Sequence, residues 1–162
     1  GDGPERARLQ ALAGPTVTLL GRQSPQQVEA LMARCRAYVY AGLEDFGIAP
    51  VEAMASGAPV IAMGRGGLLD TVRCASAGMP KAAGGLCPDQ TLESLQQAVQ
   101  WFEEQRLWRQ LDAEVIRRWA ERFGPDAFAA RFEAALQRAW AAHRRSCDVA
   151  ASDPAKVPGL LS

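Results

Sequence analysis

The sequence has one histidine, His143, four cysteines with no close pairing, and no surplus of either charge. Each shortage removes a class of function. A zinc centre needs convergent thiolates or imidazoles, as a rule in close pairs. Cys35, Cys74, Cys87 and Cys147 are scattered and His143 stands near a polar tail, so no metal site is expected. Lys plus Arg equal Asp plus Glu at 18 each, and no basic run tracks a phosphate backbone, which argues against nucleic acid as a partner. No apolar run approaches the roughly 20 residues that span a bilayer. The first residues also lack the charged-then-apolar order of a secretory signal. Scattered cysteines in such a chain read as reduced thiols of a cytosolic protein. The expected location is the cytoplasm, with peripheral contact at the inner face of the membrane left open.

What is present is a globular composition of one-domain length, 162 residues. Gly1-Asp2-Gly3-Pro4 reads as a turn, and a short helix follows with Leu9, Leu12 and Ala13 on one side. Val17–Leu20 is an apolar run closed by Gly21, the pattern of a buried strand. Ser24-Pro25 supplies a cap residue and a first-turn proline for a helix whose apolar face is Val28, Leu31, Met32 and Cys35. Strands are predicted at Ala37–Ala41 and Pro59–Ala62, with a helix over Ala49–Ser56 stopped by Gly57. Alternating helices and uniformly apolar strands predict an α/β fold, a parallel sheet covered on both faces.

Beyond Gly64 small residues dominate as far as position 85, with one short element around Leu68–Val72. A last short strand is predicted at Leu86-Cys87. Three helices are then expected, carrying Leu92 to Phe102, Trp108 to Trp119, and Phe128, Phe132, Leu136 and Trp140. The tryptophans fall at the spacing of a packed helix face. The domain is expected to end near His143, with 144–162 a disordered tail.

The segment Glu44–Val60, EDFGIAPVEAMASGAPV, carries the chemistry. It lies where a parallel strand ends and a helix begins, the edge at which open α/β sheets bind ligands. Gly47 lets backbone approach a ligand, and the amides of Phe46, Gly47 and Ile48 would face outward at a helix N-terminus, which attracts anions and hydroxyl oxygens. Glu44 and Glu52, with seven residues between them, add acceptors for sugar hydroxyls. Taken singly, Glu52 would merely complement a helix dipole and Gly66-Gly67 would be an ordinary turn. Together they offer donors and acceptors suited to a polyol joined to a phosphate.

This text resembles the signature of glycosyltransferase family 4, retaining enzymes of the GT-B fold. The match runs through Glu44-Asp45-Phe46-Gly47, Glu52-Ala53-Met54-Ala55-Ser56-Gly57 and Pro59-Val60, and extends to GDGP, to VTLLGR at Val17–Arg22 and to Gly66-Gly67-Leu68-Leu69-Asp70. Asp70 stands where Glu is commoner. The resemblance covers residues 1 to about 143 and implies a Rossmann-like, donor-binding C-terminal half of such an enzyme.

Carried over, Glu44 would hold donor-sugar hydroxyls as the catalytic-site acid. The backbone of Phe46, Gly47 and Ile48 would meet sugar and diphosphate, and Glu52 would take the ribose. Gly21 and Arg22 would lie by the base, and Gly66, Gly67 and Asp70 beside the donor. No cofactor or metal is implied beyond the nucleotide diphosphate sugar, with GDP-mannose the favoured donor and a surface polysaccharide the favoured product. The acceptor, a glycan or a lipid-linked sugar, would sit on an N-terminal domain upstream. The first two strands of the sheet and the basic pair that neutralises the diphosphate are also expected upstream of Gly1, which would leave this stretch inactive alone. The rival readings are a non-catalytic nucleotide- or sugar-phosphate-binding module and a GT-B nucleotide-sugar epimerase.

Overall fold

A strand is buried at every position only when layers cover both faces of its sheet, and β2, Val60–Met63, is buried throughout. The computed structural model describes residues 1–74 and 83–152. Within them β1 (Tyr38–Tyr40), β2 and β3 (Gly84–Cys87) form a three-stranded parallel sheet in the order β1-β2-β3. Tyr38, Val39 and Tyr40 stand opposite Val60, Ile61 and Ala62, and Val60–Met63 opposite Gly84–Cys87. The predicted α/β parallel sheet is the architecture observed.

Successive side chains of β2 alternate between two apolar clusters. Val60 and Ala62 join Ala53, Met54, Leu68, Ile116 and Ala120 on one face. Ile61 joins Phe102 and Leu107 on the other. The first cluster is supplied by α3 (Ile48–Ala55), α4 (Leu68–Thr71) and α7 (Ala113–Ala120), the second by α5 (Leu92–Glu104) and α6 (Leu107–Gln110). α7 is pinned to the α4 turn by the Trp119 indole, whose Nε1–H donates to the Thr71 carbonyl at 2.7 Å. The chain divides into two compact units, Gly1–Ala120 and the residues from Glu121 onward. The second contains a short 3₁₀ turn, Glu121–Phe123, and α8, Pro125–Ser152.

α1 (Arg6–Leu12) and α2 (Pro25–Arg34) complete the first unit. The start of α2 is a full capping box: Gln27 N–H donates to Ser24 Oγ at 3.2 Å, and Ser24 N–H donates to Gln27 Oε1 at 2.9 Å. Of the predicted apolar face of α2, Met32 is buried and Cys35 half-buried against the core, while Val28 and Leu31 are exposed.

Four expectations need correction. Val17–Leu20 is not a strand: no described strand pairs with it, and Val17 and Leu20 remain half exposed. An apolar run without a ladder partner cannot satisfy its backbone as a strand, so it runs as coil. The helix expected across Trp108–Trp119 is two helices. The chain breaks at Leu111-Asp112, and Asp112 Oδ1 accepts from Glu114 N–H at 2.8 Å, capping the start of α7. α8 continues past His143 to Ser152, into the segment read as a disordered tail. The remainder of that tail, 153–162, lies outside the described residues. Finally Trp140, expected to pack, is exposed on α8, as are Phe128, Phe132 and Leu136.

Candidate functional site

The loops that leave β1 and β2 at their carboxyl ends interlock. Gly67 N–H donates to the Glu44 carbonyl at 2.9 Å. A Cβ on Gly66 would overlap that same carbonyl, and one on Gly67 would overlap the carbonyl of Asp45. Gly47 has φ +85°, open chiefly to glycine, and a Cβ there would come 2.8 Å from Leu68 Cδ2. The glycine pair and the loop Glu44–Gly47, nineteen or more positions apart in sequence, are therefore one packed backbone unit.

That unit launches α3 without a cap. Gly47 is the N-cap residue and offers no side chain. Pro50 has no N–H to satisfy. Among the described residues nothing accepts from the amides of Gly47, Ile48 and Ala49. They lie unpaired at the positive end of the helix, where Ile48 is exposed, Ala49 half-buried and Gly47 buried. Phe46 and Ile48 are exposed beside them.

Both carboxylates act on tyrosines of β1. Tyr40 Oη donates a short hydrogen bond to Glu44 Oε1. That bond, followed by partial burial, pushes the Tyr40 phenol above its ordinary range. Two residues earlier, burial and then the charge of Glu52 push up the Tyr38 phenol. The two rings stack at 6.4 Å with an interplanar angle of 12°. Residues i and i+2 share a face of a strand, so the two tyrosines lie on one face of β1, Tyr40 bonded to Glu44 and Tyr38 within the field of the Glu52 charge. Glu44 and Glu52 are both exposed.

Glu52 also opens on a second feature. With Arg22, Gln23, Glu29 and Met32 it lines a cleft of about 570 Å³ between α2, α3 and the Gly21-Arg22 turn. The turn is held from the start of the chain, because Arg22 N–H donates to Asp2 Oδ2 at 2.9 Å while Asp2 is paired with Arg6. The Arg22 amide, ahead of the Arg6 charge, keeps the Asp2 carboxyl below its ordinary range. Gln23 Nε2 donates to the Leu20 carbonyl at 2.7 Å and fixes the turn from its other side.

The sequence-predicted residues thus fall into two groups. Glu44 and Phe46 meet Gly66 and Gly67 at the loop junction, with Gly47 and Ile48 next along the chain, while Glu52 and Arg22 line the same cleft beside Gly21. Asp70 stands apart, exposed on α4 with no side-chain partner among the described residues. Lys81 lies outside the described residues. Three residues escaped the sequence reading: Asp2, Tyr38 and Tyr40. GDGP reads only as a turn, but an Asp in a turn is a ready acceptor for a distant amide. The alternation of YVY is a signal that both tyrosines share a face. Among the described residues no group of three or more His, Cys, Asp or Glu side chains converges as a metal site. No described helix is long and apolar enough to cross a membrane.

No curated protein matches the chain. Among solved structures, a sucrose-phosphate synthase from Thermosynechococcus elongatus is similar at 29% identity and a TM-score of 0.67. The match covers 88% of this chain and 36% of that one, so the chain spans little more than a third of that protein's length. The shared architecture is that of the C-terminal domain of a GT-B glycosyltransferase. Residues 1–122 match the family described as glycosyl transferases group 1. That stretch takes in the Asp2-held turn, both acids, the uncapped helix and the glycine junction. The chain belongs to the group 1 glycosyl transferases.

Proposed function

We propose that the edge built by Glu44–Glu52, Gly66-Gly67 and Gly21-Arg22 binds the nucleotide diphosphate sugar of a retaining, family 4 hexosyltransferase. One observation carries the reading: an uncapped helix start lies between two carboxylates that both act on tyrosines of β1. From Ile48 to Glu52 the helix rises only about 6 Å, the scale on which a sugar diphosphate is held at both ends. Glu44 takes hydroxyls of the sugar, and acts at the catalytic end of the site. The amides of Gly47 and Ile48, with the loop backbone at Phe46, receive sugar and diphosphate oxygens. Glu52 takes the ribose hydroxyls, and the cleft it shares with Arg22 receives the base. Gly66 and Gly67 set the height of the Glu44 loop, and Asp70 borders the donor side.

The chemistry follows from where charge develops. As the glycosidic bond breaks, negative charge grows on the leaving diphosphate. Fixed amides aimed at that charge stabilise it without reorganising at the moment of reaction. A preorganised donor of this kind lowers the barrier by about 3 kcal/mol. The donor proposed is GDP-mannose, and the acceptor a glycan or lipid-linked sugar, in polysaccharide assembly in the cytoplasm or at the inner membrane face.

Isothermal titration calorimetry with GDP-mannose, UDP-glucose, GDP and UDP tests the reading. Glu52→Ala is expected to weaken nucleotide and nucleotide sugar alike. Glu44→Gln is expected to weaken only the nucleotide sugar. Binding that neither change alters, or the absence of binding to all four, sinks it.

A further inference from the structure

We propose that Tyr40 is a positioning residue for Glu44, its hydroxyl holding one carboxylate oxygen so that the other faces the donor sugar; this rests on the donor-site reading of Glu44. An exposed loop glutamate has three side-chain torsions and ordinarily samples many orientations. Glu44 is exposed yet anchored by a charge-assisted bond from Tyr40 Oη to its Oε1. The anchor is itself rigid. Tyr40 is the last residue of β1, its backbone fixed by the ladder to β2, and its ring stacks on Tyr38.

The local sequence leaves room for the bond. A Cβ on Gly42 would come 2.7 Å from the Tyr40 hydroxyl and 2.8 Å from the ring carbon that bears it. Any larger residue at 42 would crowd the phenol away from Glu44. The loop is held from a further side by Gln90 Nε2, which donates to the Ala41 carbonyl at 3.1 Å. Residues 40 to 44 therefore close a small ring through two side chains, with Gly42 at its hollow. An ionised carboxylate has about four acceptor sites. Using one for tyrosine leaves the second oxygen free for two sugar hydroxyls, in an orientation set before the ligand arrives. Phenylalanine at 40 would keep the stack and lose only the anchor.

The test is calorimetry on the full chain with Tyr40→Phe, Glu44→Gln and the double variant, titrated with GDP-mannose and GDP and with UDP-glucose and UDP. Tyr40→Phe is expected to lose about five- to tenfold in affinity for the nucleotide sugar that binds, with the matching nucleoside diphosphate unchanged. In the Glu44→Gln background the same change is expected to have no further effect, because the two residues act as one unit. Tyr40→Phe binding like wild type while Glu44→Gln weakens the sugar overturns the positioning role and leaves the donor site standing. Additive losses overturn it too. A Glu44→Gln chain that binds every probe like wild type overturns the donor site and this proposal together. An ultraviolet titration of the tyrosines gives a second readout on a folded protein. One phenol ionises at higher pH in wild type than in Glu44→Gln, and an unchanged titration overturns the bond itself.

Discussion

Gly66 and Gly67 meet the Glu44–Phe46 backbone for different reasons. Gly66 has φ +61°, a conformation that side chains resist. Gly67 has φ −64°, open to any residue, so its lack of a side chain serves only close approach. Gly67→Ala would drive a methyl into the Asp45 carbonyl and is expected to cost about 1–3 kcal/mol, as overpacking does, and to weaken nucleotide-sugar binding with it. Gly85→Ala is the control, since its nearest neighbour would be Trp101 Cζ3 at an ordinary 3.6 Å. Denaturant unfolding of both variants measures the difference, and equal stabilities would mean that the loops are not packed as described. The Asp2–Arg22 bond makes a prediction in pH. Asp2 titrates below its ordinary value of about 3.9. A carboxyl lowered in the folded state stabilises above its unfolded value, and that contribution disappears as pH falls through the folded one. The Arg22 amide resonance is expected to move in that acid window, below the ordinary carboxylate value, and to stay flat in Asp2→Asn.

At the scale of elements, the legible parts of the sequence were those whose signal is local. Ser24, Pro25 and Gln27 announce α2 through side chains that bond within one turn, and the capping box is there. Ser24→Ala is expected to destabilise by about 1 kcal/mol and to loosen the α2 wall of the Arg22–Glu52 cleft, seen as a lower melting temperature and weaker nucleotide binding. Strands at 38–40 and 60–63 are equally legible, because short apolar runs closed by a glycine leave few alternatives. Val17–Leu20 has the same texture and is coil, since strand formation depends on a partner that a single run cannot specify. The break at Asp112 has a local signal, an Asp before Ala113-Glu114 that caps α7, but the tryptophan spacing runs through it unbroken. At the site, Glu44, Gly47 and Glu52 stand out through one contiguous motif, and the Gly66-Gly67 pair through a separate match downstream. Asp2 and Tyr40 did not, because their partners are set by how turns fold together rather than by spacing.

Across the molecule, apolar surface is distributed unevenly. Among the described residues β1 pairs only with β2, leaving its other edge open, with Val39 46% exposed on the face away from the tyrosines. Val17 and Leu20 add half-exposed apolar surface to the same unit. α8 carries its own stripe, in which the Phe128 and Phe132 rings stack at 5.7 Å while remaining exposed. An unpaired strand edge with apolar side chains templates association with another chain, and a lysine on the edge is the usual remedy. The chain is therefore expected to self-associate with rising concentration in light scattering, and Val39→Lys to suppress it while changing stability by no more than about 0.5 kcal/mol. Persistence of association in Val39→Lys, with its loss in Phe132→Glu, would assign it to α8 instead. Because Val39 points away from Tyr38 and Tyr40, the lysine variant is also expected to bind nucleotide sugar as wild type does. A Val39→Lys chain that stays monomeric but loses nucleotide-sugar binding would mean that the open edge and the donor face are coupled, contrary to the alternation of β1.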